Sequence, residues 1–583
     1  MRKRSGLFYG WMVLGLLCGC GAPLAQADPM TAVPFTPTFT ASPTPTLSPS
    51  PTPAPTATST PTPIPTISIP LLTRTLTPTV APTVASTPVP AGELPERVIP
   101  QPFGVNIHFT HALPVELNLL AAGGFRWVRM DLFWHLVERE AGRYDFAEYD
   151  ALVTAMTRRG IRILFILDYG NLLYDHGFPP YSSEARAAFA RFAAAAARRY
   201  RGQGMVWEIW NEPNLSRFWP PEADVERYGA LLLETAAAIR RADPTALIVA
   251  PATSGYDWPF WTALGEMGVF TKLDAVTVHS YGLETPEEVG PLYVQLTAFL
   301  HRYSPAWKLP VLSGEWGYTT VERGISEGQQ AQYLARQWLI NLAYDVNLSI
   351  WYDWRDDGVD HTEIEQNFGT VHNDLTLKPA YRAAHTLLTT LDGYRFMRRI
   401  PLERPDDYLL LFQQEAEVTM ALWTTGEPHT LILPLSVDDV TTVAMTGEIG
   451  VTPSQGGGLA VDIDASPRYL LFRADQAASS LGGWRPYESL QLVQSGGESS
   501  VRVIFDSAPV SVFGEMQVRV QGEVRGSLSV VTHPMEEQQV HVPVDLSGLK
   551  GNVPAEIVFI PPDGAMLPLQ SAAIWLLIGE PTS

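Results

Sequence analysis

A chain of 583 residues is longer than one hydrophobic core serves, so several domains are expected. Its formal charge of −21 at pH 7 removes the positive field that a polyanionic backbone needs, which excludes nucleic acid as a partner and disfavours acidic ligands. The only two cysteines, Cys18 and Cys20, leave no thiol for a disulfide or a thiolate metal site in the rest of the chain.

The N-terminus reads as an export signal over residues 1–27. Arg2-Lys3-Arg4 is a basic start, and the apolar run from Gly6 to Gly19 is shorter than the roughly 20 residues a membrane span needs. Two processing readings stay open. Leu17-Cys18-Gly19-Cys20 resembles a lipoprotein box with Cys20 as the acylated residue, whereas Ala25-Gln26-Ala27 suits ordinary signal peptidase. The first is preferred because both cysteines fall there, although Cys18 is atypical at its box position; a cell-surface lipoprotein, touching the membrane only through that anchor, is expected. Residues 28–98 are rich in Pro, Thr and Ser, and between 31 and 92 Arg74 is the only charge. Such a segment forms no core and extends as a semi-rigid spacer at about 3.1 Å per residue, a reach on the order of 100 to 200 Å.

Residues 99–391 alternate short β-rich runs with longer amphipathic helical runs. Eight strands are predicted: Phe103 to Phe109, Phe125 to Met130, Ile161 to Leu167, Met205 to Trp210, Leu247 to Ala250, Leu273 to His279, Pro310 to Gly314, and Leu348 to Tyr352. The clearest helices are Asp145 to Arg159, Ser183 to Tyr200 and Glu222 to Arg241. Eight βα units in roughly 290 residues fit a (β/α)8 TIM barrel, an α/β fold. Past Leu391 the helical period disappears. Residues 392–477 read as a small β-sandwich with strands near Tyr408 to Phe412, Val418 to Trp423, Thr430 to Leu435 and Tyr469 to Phe472, and residues 478–583 as a second all-β domain, accessory or carbohydrate-binding.

Barrels place their chemistry at the C-terminal strand ends, and polar residues collect there. Arg129 and Asp131 end the second strand, Asp168 the third, Asn211-Glu212-Pro213 the fourth, His279-Ser280-Tyr281 the sixth, Glu315 the seventh, and Trp351 with Asp353 the eighth. Two glutamates at the tips of apolar strands, each surrounded by tryptophan, are what acid/base and nucleophilic work on a sugar acetal requires. Asp168 and Asp353 read equally well as structural hydrogen-bonding groups. His361-Thr362-Glu363-Ile364-Glu365 lacks the His-Glu-x-x-His spacing of a zinc site, so no metal and no other cofactor is expected.

With Glu315 lying 103 residues after Glu212 and the strand-six motif between them, residues 101 to 475 resemble the retaining glycoside hydrolases of the (β/α)8-barrel clan, families 39 and 5 in particular. Gln366-Asn367-Phe368-Gly369 and Lys378-Pro379-Ala380-Tyr381 look like the barrel endings of those families. The resemblance implies Glu212 as acid/base and Glu315 as nucleophile, Arg129 and Tyr281 holding Glu315 ionised and oriented, and Asn211 on the sugar 2-hydroxyl. It also implies His279 at the sugar site and Trp351 as its aromatic floor. Trp207, Trp210 and the charge of Glu315 would raise the pKa of Glu212, and Trp134, Trp219, Trp316 and Trp354 are candidate subsite walls, since pyranose C–H faces pack on aromatic planes. The implied activity is cleavage of an extracellular polysaccharide or oligosaccharide through a covalent glycosyl-enzyme. The alternatives are a catalytically silent carbohydrate-binding surface protein on the same scaffold, or a structural surface protein working through its terminal β-domains. Sugar, linkage, exo or endo action and oligomeric state are not legible.

Overall fold

The computed structural model describes residues 92–304 and 309–473, except 401, 403, 416, 434–438 and 456–457, and beyond 490 mainly the strands. The expected export signal, with Cys20, and nearly all of the expected spacer lie outside the described residues.

Eight parallel strands close into a barrel in sequence order: β1 (Phe103–Asn106), β2 (Trp127–Phe133), β3 (Arg162–Asp168), β4 (Val206–Ile209), β5 (Leu247–Ser254), β6 (Ala275–His279), β7 (Val311–Trp316) and β8 (Leu348–Trp351). β8 returns to pair with β1, so Val105 lies beside Val128 on one side and Trp351 on the other. The predicted helices form at Ala147–Thr157, Ser183–Arg199 and Val225–Ala242. The latter two begin where Ser182 and Asp224 accept hydrogen bonds from the backbone N–H groups of Ala185 and Arg227, satisfying otherwise orphaned donors. Helices and strands share one apolar layer outside the barrel, holding Phe165, Trp207, Trp210 and Trp351. A separate cluster fills the barrel interior from below: Trp127, Leu164, Ile166, Val206, Leu312 and Ile350 among others, with Leu94 packed against it. Strand alternation explains the split, because a residue and its second neighbour share a face.

Antiparallel sheets follow the barrel. A six-stranded sheet runs Ile449–Thr452, Val440–Val443, Arg468–Arg473, Glu417–Thr424, Asp407–Gln414, Arg395–Arg399; a three-stranded sheet holds His429–Leu433, Gly458–Ile463 and Ser454–Gln455. Leu409, Met420, Leu422, Val461 and Ile463 form a core of their own. This region is tied to the barrel side by the indole of Trp423, which donates to Glu287 at 2.8 Å, while Glu287 also pairs with Arg336. Beyond residue 490, Gln491–Ser495, Glu498–Phe505 and Gln538–Pro543 make one sheet, and Phe513–Val520, Glu523–Val531 and Gly551–Ile560 are the main strands of another.

Candidate active site

Arg129 is the hub of the barrel mouth. It is fully buried on β2, facing inward two residues above Trp127. Its guanidinium donates to Glu208 at 2.5 and 2.8 Å, to Glu315 at 2.5 Å, to Asn211 at 2.8 Å and to Asn106 at 3.1 Å. One cation thus meets two buried carboxylates, and their charges hold it protonated in spite of its burial.

The chain after β4 is bent to present Asn211 and Glu212. Trp210 and Glu212 occupy the left-handed region at φ 70° and 43°, which costs non-glycine residues energy and recurs at functional sites. The bend is pinned to β5: Glu212 N–H donates to the Ala252 carbonyl at 3.0 Å, and the Asn214 amide bonds both polar groups of the Ser254 backbone. Asn211 turns its oxygen to Arg129 and its amide N–H to the Tyr169 hydroxyl at 3.1 Å.

Glu315 is re-aimed by a bulge. Val278 pairs with Ser313 but His279 pairs with Glu315, so Gly314 is the extra residue. Leu312 faces inward with the barrel interior, and the inserted residue lets Glu315 face inward as well. Its carboxylate accepts from Arg129 on one oxygen and from the Tyr281 hydroxyl at 2.9 Å on the other.

His279 joins the two halves. Its Nδ1 lies 2.9 Å from Glu212 Oε1 and its Nε2 lies 3.4 Å from the Arg129 guanidinium. Burial pulls its pKa down to about 4, so the ring is neutral near pH 7. Because Arg129 can only donate, Nε2 is the acceptor and the proton sits on Nδ1, donated to Glu212 Oε1. Glu212 has its pKa raised to about 7 by burial, opposed by a hydrogen bond from Ser254 and the charges of Arg129 and Arg217. A proton on Glu212 therefore belongs on the oxygen that His279 leaves free. Glu212, His279 and Glu315 each place one ligand atom within 4.8 Å of the others. That triangle could hold a metal ion, but Arg129 already supplies its positive charge.

The structure brings Glu212, Glu315, Asn211, Arg129, His279 and Tyr281 together and separates others from them. Trp351 is fully buried and faces the helical layer with Ser349, while Leu348 and Ile350 face inward, so it offers no face to a sugar. The half-buried ring beside Glu315 is that of Tyr352, edge-on to His108 at 5.5 Å. Trp134, Trp219, Trp316 and Trp354 are likewise sealed. Among the described residues from 92 to 473 every tryptophan but Trp258 is fully buried, so their stacking is with protein rings, not with a ligand. Trp207 packs on Phe165 and Tyr200 outside the barrel, away from Glu212, and burial rather than repulsion by Glu315 leads the shift of Glu212. Asp168 is fully buried, and burial followed by the neighbouring Asp131 pushes its carboxyl well above the usual range; with no surface exposed it offers no group to a sugar, whereas Asp131 is half-buried. His361 bonds Asn367 instead of gathering its neighbouring glutamates. Sequence reasoning missed Glu208 and Asn106; a glutamate inside the apolar run of β4, two residues from Val206 on the inward face, was the available signal.

Residues 102–357, spanning all eight strands, match the profile of the cellulase family, glycosyl hydrolase family 5. No curated protein sequence matches the chain significantly. Among solved structures, a family 39 glycoside hydrolase from the gut symbiont Bacteroides cellulosilyticus WH2 is 25% identical with a TM-score of 0.58, over 65% of this chain and 82% of that one. A family 39 enzyme from Xanthomonas axonopodis pv. citri (17% identity, TM-score 0.50, 66% of this chain and 96% of that one) and a glucosidase from Croceicoccus marinus (14%, 0.51, 65% and 97%) share the fold. Residues 102–357 thus match a family 5 catalytic domain, and the protein is a glycosidase built on a TIM barrel.

Proposed function

We propose that the protein is a retaining glycoside hydrolase in which Glu315 is the nucleophile and Glu212 the acid/base. The observation that carries this is the approach of their carboxylate oxygens to within 4.8 Å. Retaining pairs stand about 5 to 5.5 Å apart, whereas an inverting pair needs roughly 6.5 to 9.5 Å to admit water. Glu315, held by Arg129 and Tyr281, attacks the anomeric carbon as Glu212 gives its proton to the departing oxygen, and a glycosyl ester forms. Glu212, now a carboxylate, takes a proton from water; the hydroxide so generated displaces Glu315 and the product sugar leaves. Asn211, fixed by Arg129 and Tyr169, is placed to bond the sugar 2-hydroxyl, and Tyr352 takes the place given in sequence to Trp351. Arg129 is fully engaged by protein groups, which favours a neutral sugar.

Glu315→Gln should abolish turnover. Glu212→Ala should keep part of its activity on aryl glycosides with activated leaving groups, and azide should restore turnover as the glycosyl azide of retained configuration. A glycosyl azide of inverted configuration, or equal loss on activated and unactivated substrates without rescue, would overturn the assignment.

We further propose that the enzyme works outside the cell on a polysaccharide or oligosaccharide, tethered through Cys20. A lipoprotein box followed by a long uncharged spacer supports this, because two or three acyl chains anchor stably where one does not. Cys20→Ser should release the enzyme from the membrane fraction or block its maturation; a mature N-terminus at Asp28 in the medium would sink the anchor.

A further inference from the structure

Where the barrel closes, between the ends of β1 and β8, a second group of ligand-bearing side chains stands apart from the two glutamates. Asp353 is 1% exposed, and one of its two carboxyl oxygens is left without a hydrogen bond. Its Oδ1 is sealed from solvent with no partner, and its Oδ2 stands 3.6 Å from His108 Nε2, beyond hydrogen-bond length. A buried carboxyl oxygen with no donor is costly and calls for a counter-group. The neighbours supply one only in part: Asp356 and Asp357 add negative charge, and Lys378 offsets it from a distance because its own ion pair is with Asp356 at 3.1 Å.

His108, Asp353 and Asp357 each place one ligand atom within 4.8 Å of the others. The ligand atoms of one ion at about 2.0 to 2.2 Å from each donor lie somewhat closer than that. His108 and Asp357 are exposed and free to close the difference, while Asp353 is fixed at the strand end. One imidazole with two carboxylates is a mixed nitrogen and oxygen set. It suits a borderline divalent ion better than Ca2+, which takes six to eight oxygens, or Mg2+, which retains its waters.

We propose that His108, Asp353 and Asp357 bind one divalent transition-metal ion, of the Zn2+ or Mn2+ class, at the rim of the barrel mouth. The ion joins the extension of β1 to that of β8, the seam where the barrel closes. Three protein ligands leave positions for water or for sugar hydroxyls, and the ring of His108 meets Tyr352, the neighbour of Glu315. The site does not depend on the assignment of Glu212 and Glu315, since its ligands take no part in that chemistry.

The test is direct metal binding by the purified full-length chain after EDTA treatment and dialysis, with ZnCl2 and MnCl2 titrated by calorimetry and CoCl2 by absorbance. One ion per chain is expected. His108→Gln and Asp357→Asn, both at exposed positions, should weaken binding at least ten-fold without changing the circular dichroism spectrum. Glu363→Gln, at an exposed acid outside the cluster, should bind as the wild type does, and Asp353→Asn should lose binding even where it folds. Absence of binding at millimolar metal would overturn the proposal, as would binding that survives both His108→Gln and Asp357→Asn. Preference for CaCl2 over both transition ions would overturn the ion class.

Discussion

Val206 and Glu208 sit two residues apart on the inward face of β4, equally sealed from water, and belong to different physical worlds. Val206 is part of the lower ring, where Leu164, Ile166, Leu312 and Ile350 fill the barrel by packing alone. Glu208 is part of the upper ring, where Arg129, Asn211, His279 and Glu315 complete one another by charge and hydrogen bonds. Truncation in the lower ring leaves a void; truncation in the upper ring leaves a charge. The two losses can be similar in size yet must differ in their response to pH.

The largest effect should come from removing the hub. Arg129→Met strands Glu208 and Glu315 in a buried site, at a cost of about 3 to 5 kcal/mol for a broken buried pair. Leu164→Ala should cost about 2 to 5 kcal/mol through its cavity. Urea unfolding at pH 5 and pH 8 separates them: the arginine variant should recover stability at pH 5, where stranded carboxylates take up protons, and the leucine variant should not. A deficit of Arg129→Met that is the same at both pH values would remove the distinction between the rings.

Glu212 sharpens the comparison because its burial is only partly compensated. Its pKa rises from 4.5 to about 7 on folding, so its contribution to stability is complete below pH 4.5 and is lost as pH rises through 7. The full loss is about 3 kcal/mol. Glu212→Gln cannot ionise, so its stability relative to wild type should climb from about zero at pH 4 to about 3 kcal/mol at pH 8. His279, whose pKa falls to about 4, has the opposite sign: its contribution is present above its unfolded value and lost as pH falls, and it cancels because both proteins carry it. A flat difference between pH 4 and 8 would contradict the burial argument. Wild-type activity should fall on the alkaline side near pH 7, as Glu212 loses the proton it donates.

The lower ring was easier to read in the sequence than the upper. Apolar runs such as Ile161 to Leu167 announce strands directly, and the first polar residues after them marked Glu212, Glu315 and His279. What the sequence concealed was which way each side chain faces. Trp351 follows Ile350, and alternation places it outside, against the helices; Tyr352 beyond it is the ring that feels the charge of Glu315. The tryptophans misled because they suit a sugar and a protein ring equally well, and in this barrel they stack on protein: Trp134 on Tyr174, Trp207 on Phe165. Glu208 was passed over because a charge inside an apolar strand has meaning only with its partner, and Arg129 lies 79 residues away in sequence. The bulge at Gly314 left no compositional trace, although it decides that Glu315 faces inward.

Gly314 marks the boundary between the rings and gives the smallest, most local test. A Cβ there would come within 2.1 Å of Thr277 Oγ1 and 3.0 Å of Glu208 Oε2, so Gly314→Ala presses on a lower-ring neighbour and an upper-ring neighbour at once. Overpacking of this kind costs about 1 to 3 kcal/mol. Thr277 Oγ1 has no hydrogen-bond partner, so Thr277→Ala forfeits packing alone, about 1 kcal/mol. If the Thr277 contact carries the strain, the double variant should be more stable than the two single losses predict, with a coupling of about 0.5 to 3 kcal/mol. Its kcat should stay close to that of Thr277→Ala, because Glu208 then keeps its place on Arg129. Additive losses with a lowered kcat would instead place the strain on Glu208, and would mean that a methyl group in the packed ring is felt through the charged one.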